Sequence, residues 1–296
     1  MIEIKNLCKS YGNKEVLDDI NLQVDNGSIV GLVGINGAGK STLLRLISGV
    51  FKADKGTILI DGEEVYENEK IKQQIFFLPD EPFYSINTTP ISLIDLYKSF
   101  YSLDKEAYLN YLNMFKIPLK KTMNTFSKGM KRQVFVSLAL AIKPKYLLLD
   151  EAFDGLDPLA RLSFKKALID LVSDKKCSVI ISSHSLRELE DICDYYALID
   201  NKKIASSGQI ATETEKLHKY QVVFNEMINK EDFNINLISF EHDKRVVRVV
   251  VNEELDEFSE KIKDLSPLII DEIPIDFEEL FIIEVERKGY LKWKTY

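Results

Sequence analysis

Several kinds of residue are scarce in this chain, and each shortage removes a class of protein. Three cysteines in 296 residues, Cys8, Cys177 and Cys193, make an odd count with no C-x-x-C pair, which argues against a disulfide framework and against a zinc site. A reducing cytosol fits best. No apolar run approaches the roughly 18 residues a membrane helix needs. The richest, VFVSLALAI at 134–142, is closed by Lys143 and Pro144. The opening MIEIKNLCKSYG carries a glutamate where an export signal has basic and then continuously apolar residues, so no export signal is expected. Positive charge is also short: 39 Lys and Arg against 47 Asp and Glu give −8, without the broad basic footprint of a nucleic-acid binder. Internal repeats and low-complexity segments are absent from the sequence.

What is present is enough for a sizeable core, with 45% hydrophobic residues in a chain longer than a typical single domain. Residues 1–62 read as β structure, with runs such as IEI, NLQV, IVGLVG and TILI punctuated by the turn pairs Asn26-Gly27 and Asp61-Gly62. Between 91 and 117 the period becomes helical, through Leu93, Leu96, Tyr97, Phe100 and Tyr101, and predicts an inserted helical subdomain at about 82–143. From 134 to 200, strands KYLLLD, CSVIISS and YYALID alternate with helical stretches, the pattern of a parallel sheet with crossover helices. Residues 215–296 hold 12 basic and 19 acidic residues, a net −7, and read as a small α+β module; 1–214 form the first domain.

The stretch GINGAGKST, 34–42, fits G-x-x-x-x-G-K-[ST] and lies between a strand and a helix, which is the setting that gives the pattern meaning. Glycines let backbone N–H groups converge on phosphate oxygens, the helix start adds positive potential, and Lys40 is a mobile charge for terminal phosphates. Asn36, Gly37, Ala38, Gly39, Lys40, Ser41 and Thr42 are therefore expected nucleotide contacts, with Ser41 on Mg²⁺. An incidental glycine-rich turn is the competing reading. The strand of KYLLLDEAF delivers Asp150 and Glu151 to the carboxyl edge of the sheet, where α/β folds place ligands. There Asp150 would hold the metal and Glu151 would orient and deprotonate an attacking water; a plain pair of helix-entry acids is the alternative. In CSVIISSHSLRELE a strand runs into His184, placed to meet a γ-phosphate, and Ser185 with Glu188 predicts a capping box for the next helix. His218 and His242 read as structural.

A second anion-like stretch, TFSKGMKRQ at 125–133, precedes the apolar helix, with Ser127 as its N-cap and Gly129 permitting close approach. The order GINGAGKST, FSKGM, YLLLDE, GLDP, SSH resembles the ATP-binding cassette family, specifically the nucleotide-binding subunits of bacterial exporters whose permeases are separate polypeptides, over about 1–212. That resemblance implies a P-loop NTPase cassette with a parallel sheet core, an N-terminal antiparallel β subdomain and the inserted helices. The tail ending in DFEELFIIEV resembles the extension on many drug, peptide and antibiotic exporter subunits. FSKGM matches the family's signature motif, which implies that Ser127 and Gly129 close over the ATP held by a partner subunit. Tyr11 matches the adenine-stacking aromatic, and Asp157 of GLDP the loop that communicates across the dimer; Pro158 in the first helical turn also marks Asp157 as an N-cap.

Two positions depart from the family pattern. Asp80 in FFLPDEP stands where a glutamine is usual, and beside a γ-phosphate it would be repelled by roughly 4 kcal/mol at about 4 Å and effective dielectric 20, so it must be held back, protonated or cation-paired. Lys128 and Met130 replace a glycine and a glutamine. The aromatic run Phe83, Tyr84, Tyr97, Phe100, Tyr101, Tyr108, Tyr111 and Phe115 resembles the region that docks a permease helix, although about two thirds of it reads as subdomain core. The resemblance thus implies an ATPase subunit of an export pump, with ATP and Mg²⁺ as cofactors, at the cytoplasmic face of the membrane. Its partners would be a second cassette and membrane permeases, without nucleic acid. A non-transport cassette ATPase acting on DNA or ribosomes and a regulatory ATP-binding module are the alternatives.

Overall fold

A computed structural model of the chain describes residues 1–173, 177–210, 212 and 217–287. The backbone divides into two compact units, Met1–Ser207 and Gly208–Tyr296. A division at 214/215 lies outside the described residues.

The first unit opens with β1 (Ile2–Tyr11) and β2 (Lys14–Val24), an antiparallel hairpin whose inward residues Ile2, Ile4, Leu7, Leu17 and Ile20 are buried. There follow β3 (Ile29–Val33), α1 (Lys40–Ile47), β4 (Lys55–Ile60), β5 (Glu63–Glu64), α2 (Glu69–Lys72) and β6 (Ile75–Leu78). One sheet has the order β2-β1-β4-β5 and is antiparallel. The helical stretch contributes α3 (Ser92–Lys98), α4 (Lys105–Met114) and α5 (Lys128–Ile142). VFVSLALAI lies within α5 as a buried core helix. Among the described residues, no helix is long and apolar enough to cross a membrane. Of the eight aromatic residues between Phe83 and Phe115, Tyr108 is buried and donates its hydroxyl to Pro90 O, Phe83 and Phe100 are exposed, and the other five are half-buried.

The chain continues through β7 (Tyr146–Asp150), α6 (Pro158–Ser173), β8 (Ser178–Ser183), α7 (Leu186–Glu190), β9 (Tyr195–Asp200) and β10 (Lys203–Gln209). The second sheet has the order β10-β9-β3-β8-β7-β6, and β9, β3, β8, β7 and β6 pair in parallel. Every residue of β3, β7 and β8 is buried, which explains why these strands read as continuous apolar runs rather than alternations. Register aligns their ends: Leu32 and Val33 face Ser182 and Ser183, and Asp150 faces Ser182. α1 buries Leu43, Leu44, Leu46 and Ile47 in one apolar cluster with residues of both sheets, so the loop before it is anchored at its helical end.

A polar anchor joins the start of β1 to the turn after β4. Asp61 accepts from Lys145 at 2.6 Å, the Tyr146 hydroxyl at 2.7 Å and the Met1 amino group at 2.9 Å. Burial alone would push this carboxyl up; the three donors outweigh burial and hold it well below the usual carboxylate range. A folded-state pKa below the unfolded one stabilises the fold above about pH 4, and the gain disappears as pH falls through the folded value. Asp61→Asn is therefore expected to cost about 1–2 kcal/mol at pH 7. The difference from wild type should close in acid, as read from urea midpoints across pH.

The second unit carries β11 (His218–Val223), β12 (Ser239–Asp243), β13 (Val246–Val251), α8 (Leu255–Lys261), β14 (Ile269–Ile273) and α9 (Phe277–Arg287). Strands and helices are both present, as the sequence predicts for a small α+β module. The sheet, β12-β13-β11-β14, is antiparallel. Tyr220, Val222, Val247, Val249 and Phe258 form its core, with the Tyr220 and Phe258 rings stacked at 4.4 Å. His218 pairs with Glu272 at 2.8 Å.

Candidate nucleotide site

The loop between β3 and α1 is built for close approach by an anion. Gly39, at φ +111°, could not carry a side chain: a Cβ there would meet Leu17 Cδ2 at 2.6 Å. The chain can thereby turn straight into α1, whose first-turn N–H groups have no intrahelical partner. The Ala38 amide donates to Ile35 O at 3.1 Å, closing a turn in which Asn36 and Gly37 are exposed. Thr42 is buried behind them.

Lys40 is buried, and its ammonium donates to Gly34 O at 2.6 Å and lies 3.6 Å from Glu151 Oε1. The Ser41 hydroxyl donates to Asp150 Oδ1 at 3.1 Å, and the Ser182 hydroxyl donates to the same oxygen at 2.7 Å. Asp150 Oδ2 is buried without a hydrogen-bond partner among the described residues. An orphaned carboxylate oxygen is costly to bury, and with the neighbouring Ser41 hydroxyl it makes an all-oxygen donor set of the kind magnesium takes.

Glu151 leaves β7 with φ +48°, and its amide donates to Ser182 Oγ at 3.1 Å. Its carboxylate meets His184 Nδ1 at 2.9 Å. Asp154 joins them, and one ligand atom from each of Glu151, Asp154 and His184 lies within 4.8 Å of the others. The hydrogen bond to Glu151 raises the imidazole pKa above its ordinary value against the opposing pull of burial, with further help from the charges of Glu151, Asp154 and Glu188. Lys40, Ser41, Asp150, Glu151 and His184, taken from three separate stretches of sequence, are thus brought together.

Tyr11 ends β1 half-exposed, its ring edge-on to Phe51 at 6.0 Å. Ser127 caps α5, accepting from the Met130 amide at 3.2 Å. The close approach permitted by Gly129 is taken up within the chain itself, since a Cβ there would lie 2.2 Å from Gly155 O. Asp157 caps α6 through the Ala160 amide at 2.9 Å.

The capping box expected at Ser185 and Glu188 does not form. Ser183, one residue before His184, accepts from the Ser185 amide at 2.9 Å and donates to Glu188 at 2.8 Å, while Arg161 holds the other Glu188 oxygen at 2.9 Å. Glu188 is thereby drawn toward the strand end and α6. Asp80 is cation-paired, 2.7 Å from Arg132 and 3.5 Å from Lys128. Ser182, Asp154 and Arg132 escape sequence reasoning; the serine pair closing a buried apolar strand is the one signal that could have marked Ser182.

Comparison with known proteins identifies the family. The ABC transporter family model matches residues 17–154. The chain is 32% identical to the ABC transporter ATP-binding protein YtrB of Bacillus subtilis over 284 residues, 95% of this chain and 97% of that one. It is 33% identical to the bacitracin transport ATP-binding protein BcrA of Bacillus licheniformis over 208 residues, 69% of this chain and 68% of that one. A solved ATP-binding subunit of an ABC transporter superposes with a TM-score of 0.66 at 30% identity, covering 72% of this chain and 91% of its own. The phosphate loop and the paired acids at the sheet edge accordingly have a family to account for them: the chain belongs to the ATP-binding subunits of ABC transporters and is an ATPase.

Proposed function

We propose that this ATPase drives export through separate membrane permease subunits, working as a pair of cassettes bound to the cytoplasmic face of the membrane. The observation that carries the reading is the connected set Lys40, Ser41, Asp150, Ser182, Glu151 and His184 at one sheet edge, beside a glycine-formed loop. A transport role is supported by the name of BcrA, a bacitracin transport ATP-binding protein.

In this reading the amides from Asn36 to Thr42 and the Lys40 ammonium hold the phosphates, while Tyr11 stacks on the base. Ser41 and Asp150 hold Mg²⁺, which when bound offsets phosphate charge. Glu151 accepts a proton from the attacking water, and His184, kept near Glu151 by their hydrogen bond, meets the γ-phosphate. Ser127 and Gly129 present the start of α5 to the nucleotide of the second cassette, whose arrival completes the site. Residues 215–296 act as an accessory domain.

A groove of about 570 Å³, lined by Lys72, Leu96, Tyr97, Phe100 and Tyr101 among others, supports permease docking beside the helical subdomain. Exposed Phe83 and Phe100 are the kind of apolar surface a partner covers. Affinity purification of the tagged chain from detergent-solubilised membranes is expected to bring down a polytopic membrane protein, and Phe100→Glu to abolish that capture with ATPase retained. Recovery of ribosomes or DNA in its place would reject the transport reading.

A further inference from the structure

Asp80 replaces the usual family glutamine, and the structure gives it a definite engagement. It lies two residues beyond β6, at the sheet edge that carries the nucleotide site. Arg132, in the second turn of α5 and only 2% exposed, donates from Nη2 to Asp80 Oδ1 at 2.7 Å and from Nη1 to Pro79 O at 3.0 Å. One planar guanidinium therefore grips both the side chain and the backbone of the 79–80 segment, through two separate nitrogens held in a fixed fork. Lys128 adds a second cation, 3.5 Å from the same Asp80 oxygen and 3.7 Å from Asp154 Oδ2.

The contacts continue toward the chemistry. Gly129 packs so closely on Gly155 that a Cβ on Gly129 would lie 2.2 Å from Gly155 O, and the Asp154 amide donates to Glu151 O at 3.1 Å. A path of direct contacts runs from the end of β6 through Asp80, Arg132 and the first turns of α5 to the segment that follows Glu151. The pairing also turns the Asp80 carboxylate toward cations, so its negative charge is neutralised where it would otherwise repel bound phosphates.

We infer that Asp80 is a positioning residue for ATP hydrolysis: through Arg132, with Lys128, it pins the start of α5 against residues 154–155 and so fixes the backbone that carries Glu151. The inference rests on the reading of Glu151 as base. It assigns Asp80 a role through protein cations and none on the metal.

The test is steady-state ATPase kinetics of Asp80→Asn, Asp80→Glu, Arg132→Gln, Arg132→Lys and the Asp80→Asn/Arg132→Gln double variant, with nucleotide affinity from a fluorescent ATP analogue and a Mg²⁺ titration. Asp80→Asn is expected to lower kcat by about 10- to 10²-fold, the scale of a small misplacement of a catalytic group, with nucleotide affinity and Mg²⁺ requirement changed less than about threefold. Asp80→Glu should recover most of the rate; Arg132→Lys should recover less, because one nitrogen then replaces the two that reach Pro79 O and Asp80 Oδ1 in a fixed fork. The double variant should be no slower than the slower single one, since the two act as a unit. Rates are taken well below each variant's melting point, so that loss of fold does not enter. A kcat for Asp80→Asn within about twofold of wild type, or losses that add in the double variant, would overturn the inference. A raised Mg²⁺ requirement would overturn it too, by making Asp80 a metal group. If Asp80→Asn is normal while Glu151→Gln is inactive, the strut alone is wrong; if Glu151→Gln turns over normally, the base assignment fails first.

Discussion

Glu151→Gln is expected to lose ATP turnover by about 10² to 10⁴-fold, the range set by removal of a general base, while still binding ATP. The amide keeps the size of the side chain and can still meet His184, so the backbone and the Ser182 contact to the Glu151 amide remain in place. What is lost is the capacity to take a proton from water. Because binding survives and cleavage does not, the ATP-bound pair of cassettes should accumulate. Phosphate release measures the first effect, and light scattering after size exclusion with ATP measures the second. Near-normal turnover would reject Glu151 as base, and an inactive variant that stays monomeric with ATP bound would reject the paired site.

Lys40→Ala should weaken ATP binding by roughly 10- to 150-fold, the equivalent of losing a charge-assisted hydrogen bond of about 1.5–3 kcal/mol. The structure adds a reason for a large effect. The ammonium is already removed from water and directed by Gly34 O and Ile35 O, so little ordering is left for nucleotide to impose. Its absence also leaves Glu151 without the cation at 3.6 Å. Lys40→Arg should not restore affinity, because a planar guanidinium cannot occupy a cradle formed around a compact ammonium. Titration with a fluorescent ATP analogue reads this directly; wild-type affinity in Lys40→Ala would remove Lys40 from the site.

The parts of the site that could be read beforehand are those in which sequence neighbours do the work. Lys40 and Ser41 follow a strand and open a helix, so their placement comes with the local fold, and Asp150 and Glu151 are carried to the edge by a buried strand. Ser127 and Asp157 could be read as helix caps because a cap's partner lies three residues on. What escaped reading are contacts set by tertiary packing: Ser182 with Asp150, 32 residues apart, and Arg132 with Asp80, 52 residues apart. The missing capping box shows the same limit, since Glu188 had a local candidate in Ser185 but is taken by Ser183 and by Arg161 from another helix. Gly129 was legible as a point of close approach; that Gly155 of the same chain fills it was not.

The pairing of Leu32 and Val33 with Ser182 and Ser183, and of Asp150 with Ser182, has a consequence for how such a site can vary. Hydrogen-bonded rungs act as a ruler that sets the heights of the phosphate loop, the acids and the serines before any side chain chooses a rotamer. A slip of one rung in β8 would turn Ser182 away from Asp150 and bring Ile181 or Ser183 to its rung, because adjacent strand residues point to opposite faces. Substitutions deep in β8, far from any nucleotide, that loosen this alignment should therefore behave as active-site lesions.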